Sequence, residues 1–121
     1  MAKILIVDDS KMSRKMLRNV LEGMGHDIVG EAGNGEEGVK LYKEIKPDAV
    51  TMDITMPEKD GLTCLKEIKE FDPNARVVMI TAAGQSSKLM EALKLGAKEF
   101  ICKPYEPEQV INAFKEVLKN S

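Results

Sequence analysis

The apolar positions of this chain fall into two alternating patterns, and the alternation repeats five times. Lys3 to Val7 (KILIV) is a short run rich in branched residues, as expected of a strand buried on both faces. Met16, Leu17, Val20, Leu21 and Met24 follow at helical spacing, with Ser10 placed to cap the helix and Gly25 to end it. His26 to Glu31 reads as a second, weaker strand, and Gly33-Asn34-Gly35 as a turn. Val39, Leu41, Tyr42 and Ile45 mark a second helix, which must stop before Pro47. Ala49 to Met52 predicts a third strand ending at Asp53, and the loop through Met56-Pro57 is closed by Asp60-Gly61. Leu62, Leu65, Ile68 and Phe71 define a third helix. Arg76 to Ile80 (RVVMI) predicts a fourth strand ending at Thr81, and Leu89, Met90 and Leu93 carry a fourth helix that ends at Gly96. Glu99 to Cys102 is a fifth strand ending at Lys103-Pro104, and Val110, Ile111, Phe114, Val117 and Leu118 lie on a last helix.

Five strands alternating with five helices imply an α/β fold, a doubly wound parallel sheet covered on both faces. Right-handed crossovers leave few topologies. The 121 residues contain no linker, repeat or low-complexity tract, so a single domain over 1–121 is expected. With 43% apolar but only 4% aromatic residues, the core should be aliphatic, and most of the eight methionines read as core filler on helix faces and strand ends.

Charge narrows the function. The formal net charge is −2 and no run of Lys and Arg stands clear of acids, which argues against direct nucleic-acid binding. Cys64 and Cys102 lie far apart in apolar contexts and read as reduced, semi-buried thiols of a cytoplasmic protein. No secretory leader is expected, and no apolar run approaches the roughly 20 residues that span a bilayer. His26, the single histidine, has no partner for a metal site. Gly33 to Gly35 lacks the strand and helix context of a dinucleotide loop.

In such sheets ligands bind beyond the carboxyl ends of the strands. Those ends carry Asp8-Asp9 after the first strand, Asp53 after the third, Thr81 after the fourth and Lys103 after the fifth. Singly, each has an ordinary reading as a cap, turn or solvated strand-end residue. Together they put three carboxylates, a hydroxyl and an ammonium at one sheet edge. Crowded carboxylates repel, and a hard divalent cation such as Mg²⁺ relieves that repulsion through oxygen ligands. A carboxylate is also a competent nucleophile for phosphoryl transfer, in which a metal, an ammonium and a hydroxyl can hold the transferring charge. This reading makes Asp53 the nucleophile, Asp8 and Asp9 metal binders, Lys103 the charge partner and Thr81 a hydroxyl donor.

The motifs ILIVDDS (Ile4 to Ser10), VTMDITMPEKDG (Val50 to Gly61), MITAAG (Met79 to Gly84) and GAKEFICKP (Gly96 to Pro104) resemble those of response-regulator receiver domains, CheY-type members among them, over essentially the whole chain. The resemblance, rather than the periodicity, supplies a flavodoxin-like strand order 2-1-3-4-5. It implies phosphorylation of Asp53 by a histidine kinase, with Mg²⁺ on Asp9, Asp53 and the main-chain oxygen of Thr55, and Asp8 helping through water. It implies a cis Lys103-Pro104 bond and a small residue, Ala82, where the phosphoryl group approaches. It also implies a switch in which Thr81 moves inward and Phe100 turns in, re-setting the face formed by the fourth helix, fifth strand and fifth helix for a partner. Thr55 and Ala83 occupy positions that tune hydrolysis in this family. The segments MDITMPEKDG and GAKEFI look chemotaxis-like, while Ser10, Lys11 and Met12 are more generic.

The expected protein is a monomeric signalling phosphoacceptor, not an enzyme acting on other substrates. Its partners would be a kinase, a downstream protein such as a flagellar motor component, and a phosphatase. The alternative is a receiver cut from, or working beside, a larger transcriptional or enzymatic regulator, against which Met1 at the first strand and Asn120-Ser121 after the last helix weigh as natural-looking ends. A flavin module of the same topology would not place Asp8-Asp9 where a phosphate must sit. A carboxylate-nucleophile phosphatase would need an acid where Thr55 stands.

Overall fold

The computed structural model describes residues 2–56, 59–82 and 84–119. Pro57, Ala83, Met1 and the pair Asn120-Ser121, all of which entered the sequence reading, lie outside the described residues. Ten elements alternate: β1 (Lys3–Val7), α1 (Lys11–Gly23), β2 (Asp27–Ala32), α2 (Gly35–Ile45), β3 (Ala49–Asp53), α3 (Gly61–Phe71), β4 (Val77–Thr81), α4 (Ser86–Lys94), β5 (Glu99–Cys102) and α5 (Pro107–Val117). The strands form one parallel sheet in the order β2-β1-β3-β4-β5. β2 and β4 start one residue later than the periodicity suggests, within the usual latitude of element ends.

Alternation along the strands sorts the core into two layers. Leu5, Val7, Val50, Met52, Val77 and Met79 face α2, α3 and α4, where Val39, Tyr42, Leu65, Ile68 and Ala92 meet them. Ile4, Ile6, Ala49, Val78, Ile80 and Ile101 face α1 and α5, against Leu17, Leu21, Val110 and Phe114. Continuing the period of two, Asp8 extends the Ile4–Ile6 row and Asp53 extends the Ala49–Thr51 row, so the two acids share the α1/α5 side. Thr81 extends the Val77–Met79 row on the opposite side.

The helix ends follow local chemistry. Ser10 caps α1, its hydroxyl accepting from the Ser13 N–H at 3.2 Å, and Gly25 takes the turn at φ 92° that other residues avoid. Asn34 caps α2 and Asp60 caps α3 through their side-chain oxygens. Thus Gly33-Asn34-Gly35 is less a free turn than a helix entry. α2 stops at Lys46, in the left-handed region one residue before Pro47. Pro107 opens α5 behind a Glu106/Gln109 capping box.

Most of the described methionines are buried or half-buried as expected, with Met52, Met56 and Met79 in the core, while Met12 is 81% and Met90 57% exposed. Two expectations need correction. On α4 the deeply buried residue is Ala92. Met90 and Leu93 turn outward, because this nine-residue helix reaches the sheet through its small side chain. Cys64 is buried as expected, but Cys102, on the outermost strand, is exposed.

Candidate functional site

All the strand-end residues singled out from the sequence meet at the carboxyl edge of the sheet. β1 and β3 are direct neighbours, with Val7 opposite Met52, so the chain leaves both strands side by side at Asp8 and Asp53. Both carboxylates are buried; Asp9 is exposed. One carboxylate oxygen from each of Asp8, Asp9 and Asp53 lies within 4.8 Å of the others. Lys103 reaches in from the end of β5, its Nζ 3.2 Å from Asp53 Oδ2 and 3.8 Å from Asp8 Oδ2. The peptide bond that follows, Lys103-Pro104, is cis.

The two buried acids are held by their surroundings. The Ser10 N–H donates to Asp8 Oδ1 at 2.8 Å, and the Ser13 hydroxyl donates to Asp8 Oδ2 at 2.7 Å. The Arg14 guanidinium, itself paired with Glu31, donates to the Asp8 main-chain oxygen at 2.6 Å. The Thr55 N–H donates to Asp53 Oδ1 at 3.2 Å. Beneath Asp53 the chain packs too closely for any side chain at position 61. A Cβ there would stand 2.1 Å from the Asp53 main-chain oxygen and 2.7 Å from Ile54 Cα. Gly61 is therefore what lets α3 begin against the end of β3.

Burial pushes Asp53 up from its ordinary 3.8 to about 6; the neighbouring Asp8 charge adds to the rise, and Lys103 and the Thr55 N–H oppose it. Burial works against the Lys103 charge, but Asp53 and Asp8 outweigh it, so the ammonium is held above its usual range. The site is thus short of positive charge. Its donors are all carboxylate oxygens, with neither sulfur nor imidazole among them, and the cluster opens to solvent at Asp9. That donor set suits a hard divalent cation such as Mg²⁺.

Thr81 is buried at the end of β4, its hydroxyl 3.5 Å from Gln85 Oε1. Gln85 bridges the mouth of the site: its Oε1 accepts from the Ala82 N–H at 2.9 Å, and its Nε2 donates to the Thr55 hydroxyl. Phe100, on the edge strand β5 opposite Met79, is 39% exposed. The sequence reading missed Ser13, Arg14, Gln85 and Tyr105, whose hydroxyl lies 3.3 Å from that of Ser13. Ser13 sits five residues past Asp8, on the helix turn that follows the cap, a spacing that could have been noticed. Gln85 carries no such signal.

Comparison with known proteins identifies the family and the fold. Residues 4–115 match the response regulator receiver domain. The chain is 49% identical over 117 residues to the chemotaxis protein CheY of Thermotoga maritima, covering 97% of this chain and 98% of that one. It is also 49% identical to the CheY of Bacillus subtilis, covering 96% and 97% respectively. Among solved structures, the CheX-CheY-BeF3-Mg²⁺ complex of Borrelia burgdorferi contains a chain that superposes with a TM-score of 0.92 at 44% identity, covering 96% of this chain and 88% of that one. A five-stranded sheet in the order 2-1-3-4-5, buried acids facing a lysine at its carboxyl edge and near-full-length similarity lead to one assignment: this chain belongs to the response-regulator receiver family.

Proposed function

We propose that this chain is a CheY-type phosphoacceptor of a chemotaxis system, phosphorylated on Asp53. The observation that carries the reading is the convergence of the Asp8, Asp9 and Asp53 carboxylates with the Lys103 ammonium at one sheet edge. Asp53 attacks the phosphorus of a phosphohistidine on a kinase. A bond forms from a carboxylate oxygen to phosphorus, the phosphorus–nitrogen bond breaks, and the imidazole keeps the electron pair. Asp9, Asp53 and the main-chain oxygen of Thr55 would hold Mg²⁺, with Asp8 beside them; bound there, the cation supplies charge neutralisation for the phosphoryl oxygens. The Lys103 ammonium, already against Asp53, pairs with a phosphoryl oxygen, and the Thr81 hydroxyl donates to another. The acidic donor set and the Mg²⁺ and BeF3 named with the Borrelia relative support this assignment.

Thr81 leaves Gln85 to reach the phosphoryl group, and the half-exposed Phe100 turns in after it, re-setting the α4-β5-α5 face. The protein acts as a monomeric, single-domain cytoplasmic signal carrier, catalysing only its own phosphorylation and dephosphorylation. Its partners are a histidine kinase, a phosphatase and a downstream protein such as a motor component; a CheX-like protein is a further candidate, given the Borrelia complex. No described helix is long and apolar enough to cross a membrane.

The test is incubation with a small phosphoryl donor and Mg²⁺, read by intact mass, with EDTA and Asp53→Asn as controls. One added phosphoryl group that needs both Mg²⁺ and Asp53 is expected. No addition, under a donor that labels another receiver in parallel, overturns the phosphoacceptor reading.

A further inference from the structure

Asp8 is fully buried and its two oxygens are held differently. Oδ1 takes a main-chain N–H from Ser10. Oδ2 takes the Ser13 hydroxyl at 2.7 Å, and this same oxygen lies 3.8 Å from Lys103 Nζ. An ionised carboxylate only accepts, so the single Ser13 proton is committed to Asp8. The Tyr105 hydroxyl, 3.3 Å from Ser13 Oγ, must then be the donor in that contact. The three groups form a chain, Tyr105 O–H to Ser13 O–H to Asp8, in which each bond strengthens the next.

We propose that Ser13, backed by Tyr105, is a positioning residue that holds Asp8 Oδ2 off Lys103. Asp8 thereby stays available to a divalent cation and Lys103 stays on Asp53. The geometry sets up a competition for one ammonium: Lys103 is 3.2 Å from Asp53 and 3.8 Å from Asp8. Without the Ser13 bond, nothing else on Oδ2 among the described residues resists its closing on Lys103. An Asp8–Lys103 pair would neutralise a carboxylate that the cation needs and draw the ammonium from Asp53. Tyr105 acts only through Ser13. It also ties the segment after Lys103-Pro104 to α1, across a groove of about 450 Å³ that both residues line. Water entering from that groove could replace a deleted serine hydroxyl, so Ser13→Ala is a poor probe.

This inference rests on the metal reading above, and the test separates the two. Mg²⁺ alone is titrated calorimetrically into the full chain, into Ser13→Thr and Ser13→Val, and into Tyr105→Phe alone and combined with Ser13→Val. Thermal unfolding without metal checks that each variant folds. Thr and Val have the same shape and differ at this position by the hydroxyl. Ser13→Val is expected to bind Mg²⁺ roughly 10-fold more weakly than Ser13→Thr, the usual scale for losing a partner that orients a metal ligand. Tyr105→Phe is expected to weaken binding about 3-fold in the unchanged chain, the worth of one neutral hydrogen bond, and to add nothing to Ser13→Val. Equal affinities for Ser13→Thr and Ser13→Val overturn the proposal, as does a Tyr105→Phe effect that persists in full beside Ser13→Val. No Mg²⁺ binding by the unchanged chain overturns the metal reading itself, and the positioning role with it.

Discussion

The Lys103 ammonium lies closer to Asp53, at 3.2 Å, than to Asp8, at 3.8 Å, although Asp8 is the more deeply buried of the two acids. One cation thus serves two carboxylates, and the shortfall falls on Asp53. Its place at the end of a strand paired on both sides leaves it little freedom to move away.

That shortfall has a pH signature. Asp53 binds its proton more tightly in the folded chain than its ordinary 3.8, at about 6, so this group favours the fold below pH 3.8 and that contribution is lost as pH rises through about 6. Asp53→Asn is therefore expected to stabilise the metal-free protein at pH 7 by roughly 2 kcal/mol, with the gain vanishing near pH 4. Urea unfolding at several pH values in EDTA measures it. Millimolar Mg²⁺ should narrow the gap by stabilising the unchanged chain.

Removing the shared cation should raise Asp53 further. In Lys103→Met the Asp53 carboxyl is expected to titrate above its present value of about 6, whereas Lys103→Arg keeps it near that value. Carbon-detected NMR of the carboxyl, without metal, reads both.

Gly61→Ala is expected to cost roughly 3 kcal/mol, because the new methyl group would meet main-chain atoms that cannot step aside. The displaced backbone belongs to Asp53 and Ile54, so labelling by a small phosphoryl donor should slow as well. A loss of thermal stability with unchanged labelling would show that α3, rather than β3, gives way.

Thr51 is fully buried on β3, and its hydroxyl has no hydrogen-bond partner among the described residues. Thr51→Val is expected to stabilise the chain by about 1 kcal/mol, since an unsatisfied buried hydroxyl is replaced by a methyl group of similar size. Chemical denaturation checks it, and an unchanged or lower midpoint would contradict it.

Much of this was legible in the chain because strand ends are marked twice, by the loss of apolar runs and by the arrival of Asp8, Asp53, Thr81 and Lys103. Periodicity fixed which elements exist, while the strand order came from resemblance, since no apolar pattern says which strands are neighbours. The same pattern failed on α4. Met90 and Leu93 keep helical spacing with Leu89, but Ala92 makes the close approach, and hydrophobicity alone does not reveal which face is nearest the sheet. Ser13, Arg14, Gln85 and Tyr105 escaped because each reaches the site from a helix or loop. Their roles depend on side-chain direction, which spacing along the chain only hints at.

The groups proposed for the chemistry hang from strand ends, whereas four of the five large apolar residues that stand exposed among the described residues, Met12, Phe71, Met90 and Leu93, lie on helices, Phe100 on β5 being the exception. Changes to one set need not disturb the other. After a gene duplication, two copies of this chain could drift apart in the partners they recognise while running the same reaction. A cell could then keep many such copies, each insulated from its siblings by a few outward side chains.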